Sequence, residues 1–179
     1  MTAGFPIGLA SLMRETAGRL PPVEAWHPAH CGDSRMRIAR DGTWFHDGAP
    51  IRRPELVRLF AGLLRKDEEG FMLVTPAEKL SIAVEDAPFL ASLLKVEGTG
   101  RSQRLVFTTN VGDETEAGAD HPLRFAEGGD APIPYVHVRG GLEARLSRPV
   151  YYQLMDLLTE VEGRMGVWSG GCFFPLARP

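Results

Sequence analysis

Two of the three Arg-Pro pairs in this chain stand behind a hairpin signal and at the head of an amphipathic run. That recurrence constrains the fold more than any other feature. Arg53-Pro54 and Arg148-Pro149 stand 95 residues apart. Proline is tolerated in the first helical turn, because its missing N–H has no intrahelical partner to lose there. The same offset places Leu56 on Tyr151, Leu59 on Leu154, Phe60 on Met155 and Leu63 on Leu158, each pair apolar at helical core spacing. Ile51 falls on Leu146. Helix start, stripe phase and preceding hairpin agree, so the sequence predicts an internal duplication. Two related units are expected to pack across a pseudo-symmetric seam, and clefts at such interfaces are favoured ligand sites. The turn-like run Glu85-Asp86-Ala87-Pro88 supplies a boundary, with one unit over 1–88 and a second over 89–179. The expected fold class is α+β, built from two related α/β units.

Within the first unit, Leu9, Leu12, Met13 and Thr16 recur at helical spacing and predict a short helix over 6–17. A loop is expected from Val23 to Ser34. Asp41-Gly42 then predicts a two-residue type I′ turn, since both central positions need φ > 0. That register pairs Ile38 with Phe45 and sends Met36, Ile38 and Phe45 to the core. Arg37, Trp44 and His46 share the opposite face. Pro54 opens a helix with Leu56, Val57, Leu59, Phe60, Leu63 and Leu64 as its stripe, and strands follow over 71–75 and 79–85.

The second unit reads as strands near 91–97 and 103–110, an acidic loop (Asp113, Glu114, Glu116, Asp120) and a short strand over 122–126. A hairpin over 135–146 with a three-residue loop at Gly140-Gly141 directs Val136, Val138, Ala144 and Leu146 inward, leaving Tyr135, His137 and Arg139 on a polar face. Pro149 opens a helix whose buried face carries Val150, Tyr151, Leu154, Leu157, Leu158 and Val161. A strand pair broken by Gly170-Gly171 closes the unit.

Composition excludes several classes. With 44% hydrophobic residues and a net charge of −3 the chain can build a core, and wholesale disorder is excluded. No apolar run approaches the roughly 18 residues of a membrane span. Met1–Gly18 lacks a basic leader and is interrupted by Pro6, Arg14 and Glu15, so a signal peptide is not expected and a cytoplasmic location is. The two cysteines, Cys31 and Cys172, then read as free thiols. Lysine is confined to Lys66, Lys79 and Lys95, and every other cationic residue is arginine. No basic run occurs, which disfavours general nucleic-acid binding.

Candidate chemistry is scattered. The Arg37–Trp44–His46 face combines a cation, a large aromatic and an imidazole, a set able to clamp a planar anion. On the structural alternative, Trp44 covers the second unit and Arg37 pairs with an acid. Thr75, Glu78 and Lys79 surround a strand-to-strand turn, either as a pocket edge or as an exposed ion pair. Ser169-Gly170-Gly171 offers backbone amides that could cradle a phosphate, without the lysine of a P-loop. Arg53 and Trp168 are placed with these near the seam. His27, His30, Cys31 and Asp33 carry metal-ligand side chains, but the spacing fits no zinc signature, and no metal or cofactor is expected. Two rival readings stay open: an enzyme using Cys31, Asp33 or Glu78 in a cleft, and a protein-interaction adaptor presenting 103–110 as a sheet edge.

Several strings together resemble a bacterial family, domain-of-unknown-function family 1285. They are Trp26-His27-Pro28 with Cys31-Gly32-Asp33, Met36-Arg37-Ile38 with Asp41-Gly42-Thr43-Trp44-Phe45, Val74 to Lys79, Val84 to Phe89, and Trp168-Ser169-Gly170-Gly171. The likeness spans residues 20 to 176, and His27 and His30 stand outside its pattern. The resemblance implies a duplicated core whose second unit is like a pleckstrin-homology β-roll with a helix. It also implies a nucleotide-like ligand at the domain interface and a role in signal transduction. Taken together, these observations predict a non-catalytic ligand-binding or sensor protein for a small anionic ligand, with a protein partner also compatible.

Overall fold

The first strand sends its alternate residues Met36 and Ile38 into the core, and its last two residues, Arg37 and Ile38, pair with a neighbouring strand on each side. In the computed structural model, which describes residues 19–176, the chain divides between Glu85 and Asp86 into two units. The helix expected over 6–17 lies outside the described residues.

In the first unit, strands β1 (His30–Ile38), β2 (Trp44–His46) and β3 (Ala49–Pro50) form an antiparallel meander. Helix α1 (Pro54–Gly62) follows, and β4 (Leu64–Asp67), β5 (Gly70–Val74) and β6 (Lys79–Val84) form a second meander. The two join through a parallel pairing of β1 with β6, giving one six-stranded sheet in the order β3-β2-β1-β6-β5-β4. Two expectations are corrected here. Residues 30–34 are strand and not loop, because β6 supplies backbone partners for His30, Gly32 and Asp33. The helix ends at Gly62, and Leu64 is already paired across β5 to Leu73, so the last leucine of the apparent stripe is a strand residue.

The Asp41-Gly42 hairpin shows how one residue of register redirects a face. The observed pairs are Met36 with His46, Arg37 with Phe45 and Ile38 with Trp44. The loop therefore contains Arg40, Asp41 and Gly42, with Gly42 at φ +86° and the Asp41 carboxylate accepting the Thr43 N–H at 2.9 Å. A slip of one residue moves every side chain on a strand to the other face. Trp44 is thus 1% exposed and stacks on Phe60 of α1 at 6.4 Å, while Phe45 shares the outer face with Arg37. The expectation that Trp44 and His46 flank Arg37 is overturned, and His46 lies on the face of Met36.

The second unit repeats the plan with a different order of parts. Strands β7 (Phe89–Glu97), β8 (Arg104–Thr109) and β9 (Glu114–Glu116) form one meander, and β10 (Leu123–Ala126), β11 (Ile133–Arg139) and β12 (Leu142–Leu146) another. Again the first strand, β7, pairs in parallel with the last, β12. Both six-stranded sheets are thus two antiparallel meanders joined first strand to last, consistent with duplication. Helix α2 (Arg148–Met155) comes after this sheet and leads into β13 (Thr159–Val161), β14 (Arg164–Ser169) and β15 (Cys172–Pro175), a separate three-stranded sheet. The architecture is mostly β, with two α-helices among the described residues.

Three further expectations change in this unit. The acidic loop contains β9, so β8 is flanked on both sides and 103–110 is not a sheet edge. The Gly140-Gly141 loop has two residues, both glycines at positive φ, and a bulge between His137 and Arg139 restores the inward set of Val136, Val138, Ala144 and Leu146. That bulge turns Arg139 toward the side of its partner Leu142, where it lies 4.9 Å over the Phe89 ring and pairs with Asp113. Val161 belongs to β13 and not to α2.

The register makes a direct prediction for stability. Trp44→Ala should cost about 3–5 kcal/mol in urea unfolding, as for other buried aromatics, whereas Phe45→Ala should cost about 1 kcal/mol. The reverse order would restore the two-residue loop.

Candidate functional site

Most of the polar side chains singled out from the sequence of the first unit are occupied by structural partners. Arg37 pairs with Glu85 and lies 4.2 Å over the Phe45 ring, and the second Glu85 oxygen accepts the Arg40 N–H at 3.0 Å. His46 is 3.7 Å from Asp47. Thr75 is 1% exposed, and its hydroxyl accepts the N–H groups of Ala77 and Glu78, closing the turn before β6. Glu78 is half-buried beside it, and Arg53 is exposed at the cap of α1. Asp33 accepts the Arg35 N–H at 2.7 Å, holding a non-glycine residue at φ +55° within the β1 bulge.

Lys79 belongs to a larger network that the sequence did not signal. Arg65, at the edge strand β4, is 8% exposed and donates from both Nε and Nη2 to Asp67. Its Nη1 holds the carbonyls of Val23 and Trp26, fixing the segment that precedes β1. Lys79 reaches Asp67 at 3.1 Å and Glu69 at 3.5 Å. The Arg65 hydrogen bonds, reinforced by Lys79, hold the Asp67 carboxyl at about 2. A tightly partnered charge cluster of this kind ties three backbone segments together.

In the second unit, cross-strand neighbours form a second network on the outer face of the sheet. Arg124 grips Glu143 with two contacts of 2.7 Å and lies 4.3 Å over the Tyr135 ring. The Tyr135 hydroxyl and Arg145 each donate to Asp86 at 2.7 Å. Burial, then the hydrogen bond to Asp86, pushes the Tyr135 phenol up. Tyr135 is accordingly 6% exposed and not part of an open polar face. Farther along, His137 stacks on His121 at 5.3 Å, and its Nε2 accepts the Gly141 N–H at 3.1 Å.

The hairpin of β14 and β15 presents a different kind of surface. Ser169 is fully buried, and its hydroxyl accepts the Leu105 N–H at 2.9 Å and donates to the Ala117 carbonyl at 2.7 Å. Gly170 donates its N–H to the Gln103 carbonyl, and a Cβ there would come within 2.9 Å of Ala117 O. These groups build a joint between two sheets. The expected phosphate cradle at Ser169-Gly170 is therefore corrected, since its first amide and its hydroxyl are already engaged.

What the joint presents outward is Trp168. It pairs with Phe173, their rings 5.2 Å apart, on the face opposite the buried Val167 and Phe174. The Arg101 guanidinium lies 4.9 Å from the Trp168 ring centroid. Among the described residues Arg101 makes no ion pair with a carboxylate. It stands on the Gly100–Ser102 3-10 turn of the β7–β8 loop, where Gly98 and Gly100 hold positive φ. Of the residues proposed from sequence, Trp168 alone thus combines an accessible aromatic surface with an available cation. Arg101 was missed because it reaches Trp168 from a distant hairpin, whereas Phe173, the cross-strand partner of Trp168 around Gly170-Gly171, was a local signal that was not singled out.

Two outcomes follow for these networks. The lowered Asp67 carboxyl contributes stability that is present above its ordinary value of 3.8 and lost as the pH falls through about 2. The urea midpoint of Asp67→Asn should therefore fall less than that of the wild-type protein between pH 4 and pH 2. Ser169→Ala should cost about 1–3 kcal/mol in the same assay, because it leaves a buried N–H and a buried carbonyl unpaired.

Comparison with known proteins agrees with this two-part architecture. Residues 21–87 match the family model described as Domain of unknown function (DUF1285), N-terminal domain, and residues 88–176 match Protein of unknown function (DUF1285), C-terminal domain. A crystal structure of a DUF1285 family protein from Silicibacter pomeroyi DSS-3 is 50% identical, with 94% of each chain covered and a TM-score of 0.87. Another, from Shewanella baltica OS155, is 27% identical over 68% of this chain and 90% of that one, with a TM-score of 0.53. No curated protein matches the chain. With both family models in sequence order and together spanning 21–176, this chain belongs to the DUF1285 family.

Proposed function

We propose that this protein is a non-catalytic binding or sensor module for a small anionic ligand with a flat ring, nucleotide-like in character. The observation that carries the reading is the Arg101 guanidinium placed over the half-exposed Trp168 ring beside Phe173. A ring can stack on this platform while the guanidinium takes the negative charge in a two-pronged contact. The other charged clusters are committed to folding: Asp67 to Arg65 and Lys79, Glu85 to Arg37, Glu143 to Arg124. A cytoplasmic, signalling role and a pleckstrin-homology-like second unit belong to the same proposal. The curled sheet, whose edge strand β9 reaches β11 through the Thr115 hydroxyl and the His137 carbonyl, and the helix that follows support the latter.

Calorimetric titration with adenosine 5′-monophosphate, adenosine and inorganic phosphate separates the two halves of the contact. The monophosphate should bind with Kd at or below about 1 mM, at least roughly tenfold tighter than either fragment. Arg101→Ala and Trp168→Ala should each weaken it by about fivefold or more. Binding that neither substitution changes would remove the platform from the reading. Absence of binding by adenine, guanine and pyrimidine monophosphates alike would overturn the nucleotide-like character.

A further inference from the structure

We infer that Gln103 is the positioning residue of this platform, setting the Arg101 guanidinium against the Trp168 ring. The inference rests on the site just proposed but concerns how that site is assembled. Arg101 and Trp168 come from different hairpins, and neither hairpin can hold the 4.9 Å contact alone. A stacked pair on mobile loops would lose most of its small intrinsic attraction to side-chain and loop entropy. Some group must fix the two backbones together.

Gln103 has three separate attachments that do so. Its N–H donates to the Gly100 carbonyl at 3.1 Å, closing the turn that carries Arg101. Its carbonyl accepts the Gly170 N–H at 3.1 Å. Its side-chain Nε2 donates to the Trp168 carbonyl at 2.8 Å. One residue therefore closes the cation's turn and grips the aromatic's strand on both sides of Ser169. Gln103 is 6% exposed, so its amide hydrogen bond is sheltered from competing water. The task calls for a side-chain donor of this reach. A carboxylate would oppose the Trp168 carbonyl, and an apolar chain would leave that carbonyl unbound. Gly98 makes the turn possible, since a Cβ there would approach Ser102 O to 2.9 Å.

The test uses the unliganded full chain, so that it stands apart from whether any nucleotide binds. The three tryptophans, Trp26, Trp44 and Trp168, are labelled with 5-fluorotryptophan and the Trp168 resonance is assigned with Trp168→Phe. Arg101→Ala defines the position of that resonance without the cation. Gln103→Met should move the Trp168 resonance at least halfway toward that position while the Trp44 resonance stays in place. A Trp168 resonance left at its wild-type position would overturn the inference. If Gln103→Met also disperses the Trp44 signal, Gln103→Asn is read in its place. It keeps the amide but shortens the reach by one methylene, and the same displacement is expected. As a second readout, Gln103→Met should weaken adenosine 5′-monophosphate binding by roughly 3- to 10-fold, the effect of one lost hydrogen bond. A shifted resonance with no nucleotide binding in any variant would sustain the positioning role and reject the ligand.

Discussion

A single hydroxyl decides how the second unit is put together. Leu105 and Ala117 sit opposite each other at the end of the β8–β9 ladder, and the Ala117 N–H reaches the Leu105 carbonyl in the ordinary way at 2.9 Å. The return bond is missing. Ser169 inserts its Oγ there, accepting from Leu105 and donating to Ala117. The hydroxyl is one of the few side-chain groups that can donate and accept at once, so it replaces a ladder bond without leaving either backbone group bare. The three-stranded sheet is thereby keyed into the six-stranded one. A strand residue following Ser169 with a Cβ would strike Ala117, which is why Gly170 comes next.

The position of Trp168 follows from that key. With Ser169 and Val167 turned inward, alternation along β14 sends Trp168 outward. Gly166, two residues earlier on the same face, lets the Phe173 ring lie over the strand, since a Cβ at Gly166 would come within 2.5 Å of that ring. The aromatic surface is therefore a by-product of packing on the opposite side. Its partner Arg101 is not, because nothing in the core requires a cation on that turn.

Much of this was legible from sequence and some was not, for identifiable reasons. Arg-Pro marked both helix starts, because proline at that position acts locally. Gly170-Gly171 marked its hairpin for the same reason, with φ of +54° and +77°. The Asp41-Gly42 signal also found the hairpin but not its register. A two-residue and a three-residue loop both accept Asp-Gly, and the choice was made by Trp44 finding Phe60, a contact across the fold. Duplication was readable in α1 and α2, but the offset of 95 carries β4 and β5 onto β13 and β14, which lie in a different sheet. Sequence order preserved the meander while pairing changed, since strand pairing is a long-range outcome. Arg65 was hidden because its donors meet backbone carbonyls and a carboxylate that no pattern places together.

Of the four arginines that lie over aromatic rings among the described residues, Arg37, Arg124 and Arg139 each face a carboxylate and Arg101 does not. Arg65, Arg104, Arg124, Arg139 and Arg145 each face at least one carboxylate, and those ion pairs hold neighbouring strands or turns in place. An incoming anion would have to displace a bound carboxylate at any of them, gaining one charge contact and losing another. At Arg101 it displaces nothing anionic. A guanidinium that meets a ring through its face leaves the edge of its plane, where the N–H groups point, free of that ring. Carboxylates and phosphates meet a guanidinium along that edge. Stacking and anion recognition therefore use different directions of the same group and do not compete. That separation distinguishes Arg101 from Arg37, whose ring contact with Phe45 is already completed along the edge by Glu85.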